Sequence, residues 1–247
     1  MDFFATNPLI PRTRPSQCRH EQNEPFELID WNQIDTLLLD MDGTLLDLHF
    51  DDHFWLQFMP SHLPEAHGFD AEKMHSHFHA PMQSTRGTLD WYCVDRWKSR
   101  LNIPVMQAMS RHRHLIRWRP GTTDFLRLAR KAGKQILIAT NAHPEVWQLK
   151  ADTLDLARFV DAVVTSHDYG QPKEDGHFWA SLVNEHALDL GRCAFFDDSE
   201  AVLASAVRHG VGTVVGIDRP NSNRPTRDMS HPLNIRYFSD LIPGLAA

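Results

Sequence analysis

Thr36-Leu37-Leu38-Leu39-Asp40-Met41-Asp42-Gly43-Thr44-Leu45-Leu46 decides the reading of this chain. An apolar run ends in two carboxylates, two positions apart, followed by a Gly-Thr turn. Side chains two apart on an extended strand point the same way. Burying two acids on one face is costly unless a cation or hydrogen bonds compensate. The pair therefore either faces water or holds a metal and does chemistry. EF-hand loops also begin Asp-x-Asp, but they need a helix before the loop and a ladder of ligands after it. Here a strand precedes, and Leu45 and Leu46 fall where those ligands are needed.

Beyond this run the chain alternates. Strand-like stretches occur at Thr36–Asp40, Gln135–Thr140, Ala162–Ser166, Cys193–Asp197 and Gly212–Ile217. Helix-like segments at about 122–132, 144–157, 175–188 and 199–209 lie between or after them. Asp198-Ser199 opens one helix, and Gly133 and Gly210 close two. This alternation predicts an α/β fold, a parallel sheet covered by helices on both faces. The stretch 47–118 interrupts it: it is rich in aromatics and histidine, with little strand character. Within it Ser84–Arg100 reads as a helix, with Leu89, Tyr92, Val94, Trp97 and Leu101 among polar residues. The expected organisation is a core of 31–46 and 119–247, with 47–118 inserted after the first strand as a helical cap over the carboxyl ends of the strands. Ligands bind at that edge of open parallel sheets. Residues 1–30, with four prolines among polar residues, read as a weakly structured extension.

The 247 residues, 42% of them hydrophobic, suit a globular chain of one large domain or one domain with an insertion. A net charge of -7 argues against non-specific nucleic-acid binding. Cys18, Cys93 and Cys193 form no close-spaced pair, which argues against a disulfide framework and fits a reducing cytoplasm. No apolar run reaches the length of a membrane span, and the N-terminus lacks the apolar segment of a signal peptide.

Four polar groups close successive strand-like runs or follow them: Asp40 and Asp42; Thr140-Asn141; Lys173; and Asp197-Asp198. Parallel strands bring such ends together, so one crevice is expected to gather carboxylates, a hydroxyl, an ammonium and a divalent cation. This set suits phosphoryl transfer, which needs an in-line nucleophile, neutralised equatorial charge and a protonated leaving group. A carboxylate can serve as the nucleophile. A hard, oxygen-ligated ion such as Mg²⁺ would screen it from the phosphate.

The order and character of the four groups resemble the four motifs of the haloacid-dehalogenase (HAD) superfamily of aspartate-nucleophile phosphohydrolases. The resemblance implies a three-layer, Rossmann-like core. It implies that Asp40 is the nucleophile and a metal ligand. Asp42 would be the general acid and then the base that activates water, its backbone carbonyl a further metal ligand. Thr140 and Asn141 would bind phosphate, as would Lys173, the catalytic lysine of the third motif. Asp198 would be a direct Mg²⁺ ligand, with Asp197 either a ligand or just outside the shell. The insertion after the first motif looks like the helical cap of the phosphoglycolate-phosphatase and phosphomutase branch. Asp40–Leu48, Trp91–Cys93, Thr140–Pro144, Pro172–Asp175 and Asp197–Glu200 are similar to bacterial nucleotidases of that branch that act on GMP and IMP. The implied substrate is a small phosphorylated metabolite, a purine 5′-nucleotide.

Weaker features have plainer readings. In His75-Ser76-His77-Phe78-His79, alternate positions share a face only on a strand, so in a helix the histidines read as a solvated face. Arg86, Trp91, Tyr92 and Trp97 are candidates to contact a base, although each taken singly reads as packing. Glu174 and Asp175 read as the opening of the next helix. Asp47 and His143 are expected to support the site without taking part in chemistry. The competing functions are another small-molecule phosphatase or sugar phosphomutase, a metal-free dehalogenase, and a catalytically idle nucleotide-binding module.

Overall fold

The computed structural model describes residues 29–245. The expected extension therefore lies outside the described residues, except for its last two. Those two belong to the fold: Ile29 is buried in the core, and Asp30 caps the turn Trp31–Gln33 by accepting from the Asn32 amide.

Six parallel strands form one sheet: β1 (Thr36–Leu39), β2 (Gln135–Thr140), β3 (Ala162–Thr165), β4 (Cys193–Asp197), β5 (Thr213–Ile217) and β6 (Asn234–Ile235), in the order β3-β2-β1-β4-β5-β6. β1 is fully buried because helices cover both faces. Leu37 and Leu39 pack on one side with Ile136, Ile138 and Phe196. Leu38 packs on the other with Leu137, Phe195 and Val214. This is the three-layer α/β fold that the alternation predicts. The helices between strands run Thr122–Lys131, Pro144–Leu154, Gly176–His186 and Glu200–Arg208. Gly133 and Gly210, both at positive φ, follow two of them.

Between β1 and the helix Thr122–Lys131 the chain makes two uninterrupted helical runs, 49–67 and 71–84, a single turn at Leu89–Tyr92, and helices at Val94–Leu101 and Val105–Arg111, with no named strand. Its two ends run side by side. The Asp47 amide donates to Arg117 O at 2.9 Å, and the Arg119 amide donates to Leu45 O at 3.0 Å. The expected single helix over Ser84–Arg100 is corrected. A helix ends at Ser84, Gly87 turns at φ +77°, one helical turn spans Leu89–Tyr92, and Cys93 is extended before Val94–Leu101. Gly87 and the bend at Cys93 outweigh the apolar spacing there.

Candidate active site

β1 lies between β2 and β4 with Leu39 opposite Ile138 and Phe196. The residues just past these positions are Asp40, Ala139-Thr140-Asn141 and Asp197, so three strand ends meet. The Asp40 amide donates to Phe196 O at 2.9 Å, which holds the turn against β4.

Lys173 comes in from the loop before Gly176–His186 and is only 2% exposed. Its ammonium donates to Asp40 Oδ1 at 2.5 Å, Asp197 Oδ2 at 2.7 Å and Ala139 O at 2.9 Å, which uses all three N–H bonds. Burial opposes its charge, but Asp197 and Asp40 outweigh burial and hold its pKa above the ordinary value. Its backbone is fixed as well: Asn141 Oδ1 accepts from the Lys173 amide at 2.9 Å, and Trp179 Nε1 donates to Lys173 O at 2.9 Å.

Asp40, Asp197 and Asp198 can bring one carboxylate oxygen each within 4.8 Å of the others. Burial, opposed by Lys173 and reinforced by Asp197, Asp198 and Asp42, pushes the Asp40 carboxyl well above the usual range. Burial and then Asp197 push Asp198 up to about 7, with Arg227 opposing. Acids crowded in this way fit a hard divalent cation, whose charge would relieve both the burial and the mutual repulsion. Gly43 lets the first loop fold onto this cluster. Its φ is +86°, and a Cβ there would lie 2.8 Å from Asp198 Cγ and 2.9 Å from Pro220 Cβ.

Asp42 is held by a residue that the sequence reading did not single out. Lys150, on the helix Pro144–Leu154 and 1% exposed, places its ammonium 2.6 Å from Asp42 Oδ1. The same ammonium donates to both oxygens of Asp51, at 2.9 and 2.8 Å. Burial, then the neighbouring Asp42, pushes Asp51 up to about 7 against the pull of Lys150. Lys150 falls four residues after buried Val146, a spacing that places it on the same inward face.

Thr140 and Asn141 are both buried, and Thr140 Oγ1 accepts from the Ala142 amide at 3.1 Å. Asn141 Nδ2 donates to Glu174 Oε2 at 3.0 Å, which corrects the reading of Glu174 as only a helix opener; Asp175 is the residue that caps the helix. Burial, then the nearby charge of Glu174, raises the Tyr92 phenol pKa. Trp91 is half-buried beside Tyr92, and its carbonyl accepts from Trp97 Nε1 at 2.9 Å. Trp97 is sequestered against Trp55 and Phe78, so it packs and has no face free for a base. Arg86 lies exposed in the turn at 85–87 and is not joined to the core groups. His75, His77 and His79 are exposed. Asp47 accepts from the amides of His49 and Ser222 and so ties the first loop to the C-terminal region. Buried Arg119, another residue not singled out, donates to Thr44 O at 3.0 Å and Arg219 O at 2.9 Å.

The profile of the haloacid dehalogenase-like hydrolases matches residues 34–210. GMP/IMP nucleotidase YrfG of Escherichia coli (strain K12) is 32% identical over 217 residues, 88% of this chain and 98% of that protein. Among solved structures, a HAD phosphatase from Thermococcus onnurineus superposes with a TM-score of 0.69 at 21% identity, covering 85% of this chain and 97% of its own. The L-2-haloacid dehalogenase RSc1362 superposes with a TM-score of 0.58 at 17% identity, covering 87% and 99%. At such identities the structural likeness speaks for the fold, which phosphatases and dehalogenases share. With the profile spanning most of the sheet and the 32% relative spanning most of the chain, this protein belongs to the haloacid dehalogenase-like hydrolases.

Proposed function

We propose that the protein is a Mg²⁺-dependent phosphatase that hydrolyses phosphate monoesters through an aspartyl phosphate, with purine 5′-nucleotides such as GMP and IMP as substrates. The observation that carries this reading is Asp40 at the tip of the central strand, bridged by Lys173 to Asp197 and grouped with Asp198. Such an acid-rich site suits a cation and a phosphate better than the displacement of a halide, which needs no such concentration of negative charge.

Asp40 attacks phosphorus, and the bond to the nucleoside oxygen breaks. Asp42 protonates the leaving alkoxide, then takes a proton from the water that hydrolyses the aspartyl phosphate and frees Asp40. Lys173 draws charge from the phosphoryl oxygens, and Thr140 and Asn141 bind the phosphate. Asp40, Asp198 and the Asp42 carbonyl would hold Mg²⁺, with Asp197 beside them; the ion would neutralise phosphoryl charge during attack. Lys150 and Asp51 fix where the Asp42 carboxyl points.

Residues 47–118 act as a cap over the strand ends in this reading. Arg86 and Trp91 contact the base or sugar, and the core handles only phosphate. One observation supports it: the 32% identical relative, matched over 88% of this chain, is named a GMP/IMP nucleotidase. The test is turnover by purified protein with Mg²⁺ of GMP, IMP, UMP, phosphoglycolate and glucose 1-phosphate. GMP and IMP are expected to exceed UMP and the non-nucleotides. Equal turnover of UMP would remove the purine assignment, and no turnover of any ester would remove the phosphatase.

A further inference from the structure

Beside the acid cluster, at the neighbouring strand ends, lies a second group of ligand-bearing side chains with a different chemical character. Cys93 is the extended residue between Leu89–Tyr92 and Val94–Leu101, in the helical insertion. His143 precedes the helix Pro144–Leu154, just past β2. His167 lies in the helical turn Ser166–Tyr169 that follows β3. β2 and β3 are adjacent with Thr140 opposite Thr165, so the two histidines leave the sheet side by side. Their rings meet edge to face with centroids 4.9 Å apart. One ligand atom from each of Cys93, His143 and His167 lies within 4.8 Å of the other two.

The bonding of His167 is the second observation. Both of its ring nitrogens are buried and neither has a hydrogen-bond partner in the structure. Leaving a buried polar atom unmatched is unfavourable, and such atoms in a native fold point to a missing partner.

We propose that Cys93, His143 and His167 form a second metal site, for a borderline-soft divalent cation of the zinc class. Thiolate and imidazole select such ions, whereas Mg²⁺ takes hard oxygen ligands, so this site and the Asp40–Asp197–Asp198 cluster sort their ions by ligand chemistry. Zinc bonds of roughly 2.3 Å to sulfur and 2.0–2.1 Å to nitrogen require the three donors to draw in by about 1 Å from their present limit, a side-chain adjustment. The Asp95 carboxylate, 3.6 Å from His143 Nε2, is a candidate for the fourth position. His143 Nδ1 accepts a long 3.3 Å hydrogen bond from the Glu145 amide. Metal at Nε2 moves the ring proton to Nδ1 and gives up that bond, so the helix start relaxes slightly on loading. The ion ties the insertion, through Cys93, to the core, through both histidines. It is therefore a clasp between the two parts of the chain and takes no part in phosphate chemistry.

The test uses the full chain, stripped of metal and held in excess Mg²⁺. Titration with Co²⁺, the spectroscopic stand-in for Zn²⁺, is expected to give one equivalent with a near-ultraviolet thiolate-to-cobalt band. Cys93→Ser is expected to abolish the band, and Cys18→Ser to leave it unchanged. His167→Gln is expected to weaken Zn²⁺ binding by more than the roughly 10- to 100-fold that loss of a supporting outer group produces. Circular dichroism of the metal-free variants checks that each is folded; if Cys93→Ser fails, His167→Gln and His143→Gln carry the test. Absence of a thiolate band in the wild type would overturn the site. So would a band that survives Cys93→Ser, or Zn²⁺ affinity unchanged in the histidine variants, which would put the ion on surface histidines.

Discussion

Two lysines order the candidate site at the scale of single residues. Lys173 binds the carboxylates at the strand tips, and Lys150 binds the pair at the mouth of the first loop. Under the proposed mechanism Asp40→Asn keeps the fold and loses several powers of ten in turnover, because an amide is a poor nucleophile and a poorer ligand. Steady-state kinetics on protein checked by mass spectrometry for deamidation decides it. Near-native turnover excludes Asp40 as nucleophile. Lys150→Met leaves Asp42 and Asp51 facing each other without a buried cation. Breaking a buried pair by removing one partner costs about 3–5 kcal/mol. The expected result is a loss of that order in urea unfolding together with a lower kcat. Adding Asp51→Asn is expected to recover much of the stability, since the two effects are coupled. An unchanged unfolding midpoint for Lys150→Met would show that the ammonium is dispensable. Three of the four core groups are legible in the sequence because each closes a strand, where topology alone brings residues together, and Lys173 follows the third strand in the next loop. Lys150 and Asp51 were not legible in that way: each sits on a helix, where charge ordinarily means solvent. The four-residue spacing of Val146 and Lys150 was the available signal.

At the scale of elements, strands were read to within a residue because buried parallel strands are apolar runs with sharp ends. β6 was missed; two residues give no pattern to read. The Ser84–Arg100 stretch was misjudged because its apolar spacing survives across a turn that Gly87 permits and a bend that Cys93 makes. β4 carries a prediction of its own. Cys193, its first residue, is 1% exposed; burial, then Asp189 and Asp35, push its thiol from 9.0 up to about 12. Above the unfolded value the unfolded chain sheds this proton while the folded chain keeps it. The stabilising contribution is thus complete below about pH 9 and is lost as pH rises toward about 12. Cys193→Ala is expected to lessen the fall in urea-unfolding stability between about pH 8 and about pH 10. An identical fall in wild type and variant would show that Cys193 does not set it.

For the whole molecule, the described residues contain no helix long and apolar enough to cross a membrane. The proposed reading makes the acid cluster a ligand-linked part of stability. Chelation is expected to abolish hydrolysis, and Mg²⁺ to restore it and raise Tm through binding to the folded state alone. Full turnover in chelator would count against a metal-dependent mechanism. Division of labour between cap and core is tested by Trp91→Ala. If Trp91 stacks on the base, GMP hydrolysis falls by about 1–3 kcal/mol, roughly 5- to 150-fold, while p-nitrophenyl phosphate is spared. Equal losses on both substrates at unchanged Tm would assign Trp91 to holding the insertion in place.

The paired ends of the insertion, Leu45–Asp47 against Arg117–Arg119, have one further consequence. Chain departing from the sheet and chain coming back are stitched together before either strays, so the sheet senses a closed neck whatever hangs from it. Doubling the length of a tethered loop adds only roughly 0.6 kcal/mol of closure entropy. Extra length added far from this neck and from the buried Asp51–Lys150 contact therefore costs the sheet beneath little in closure entropy.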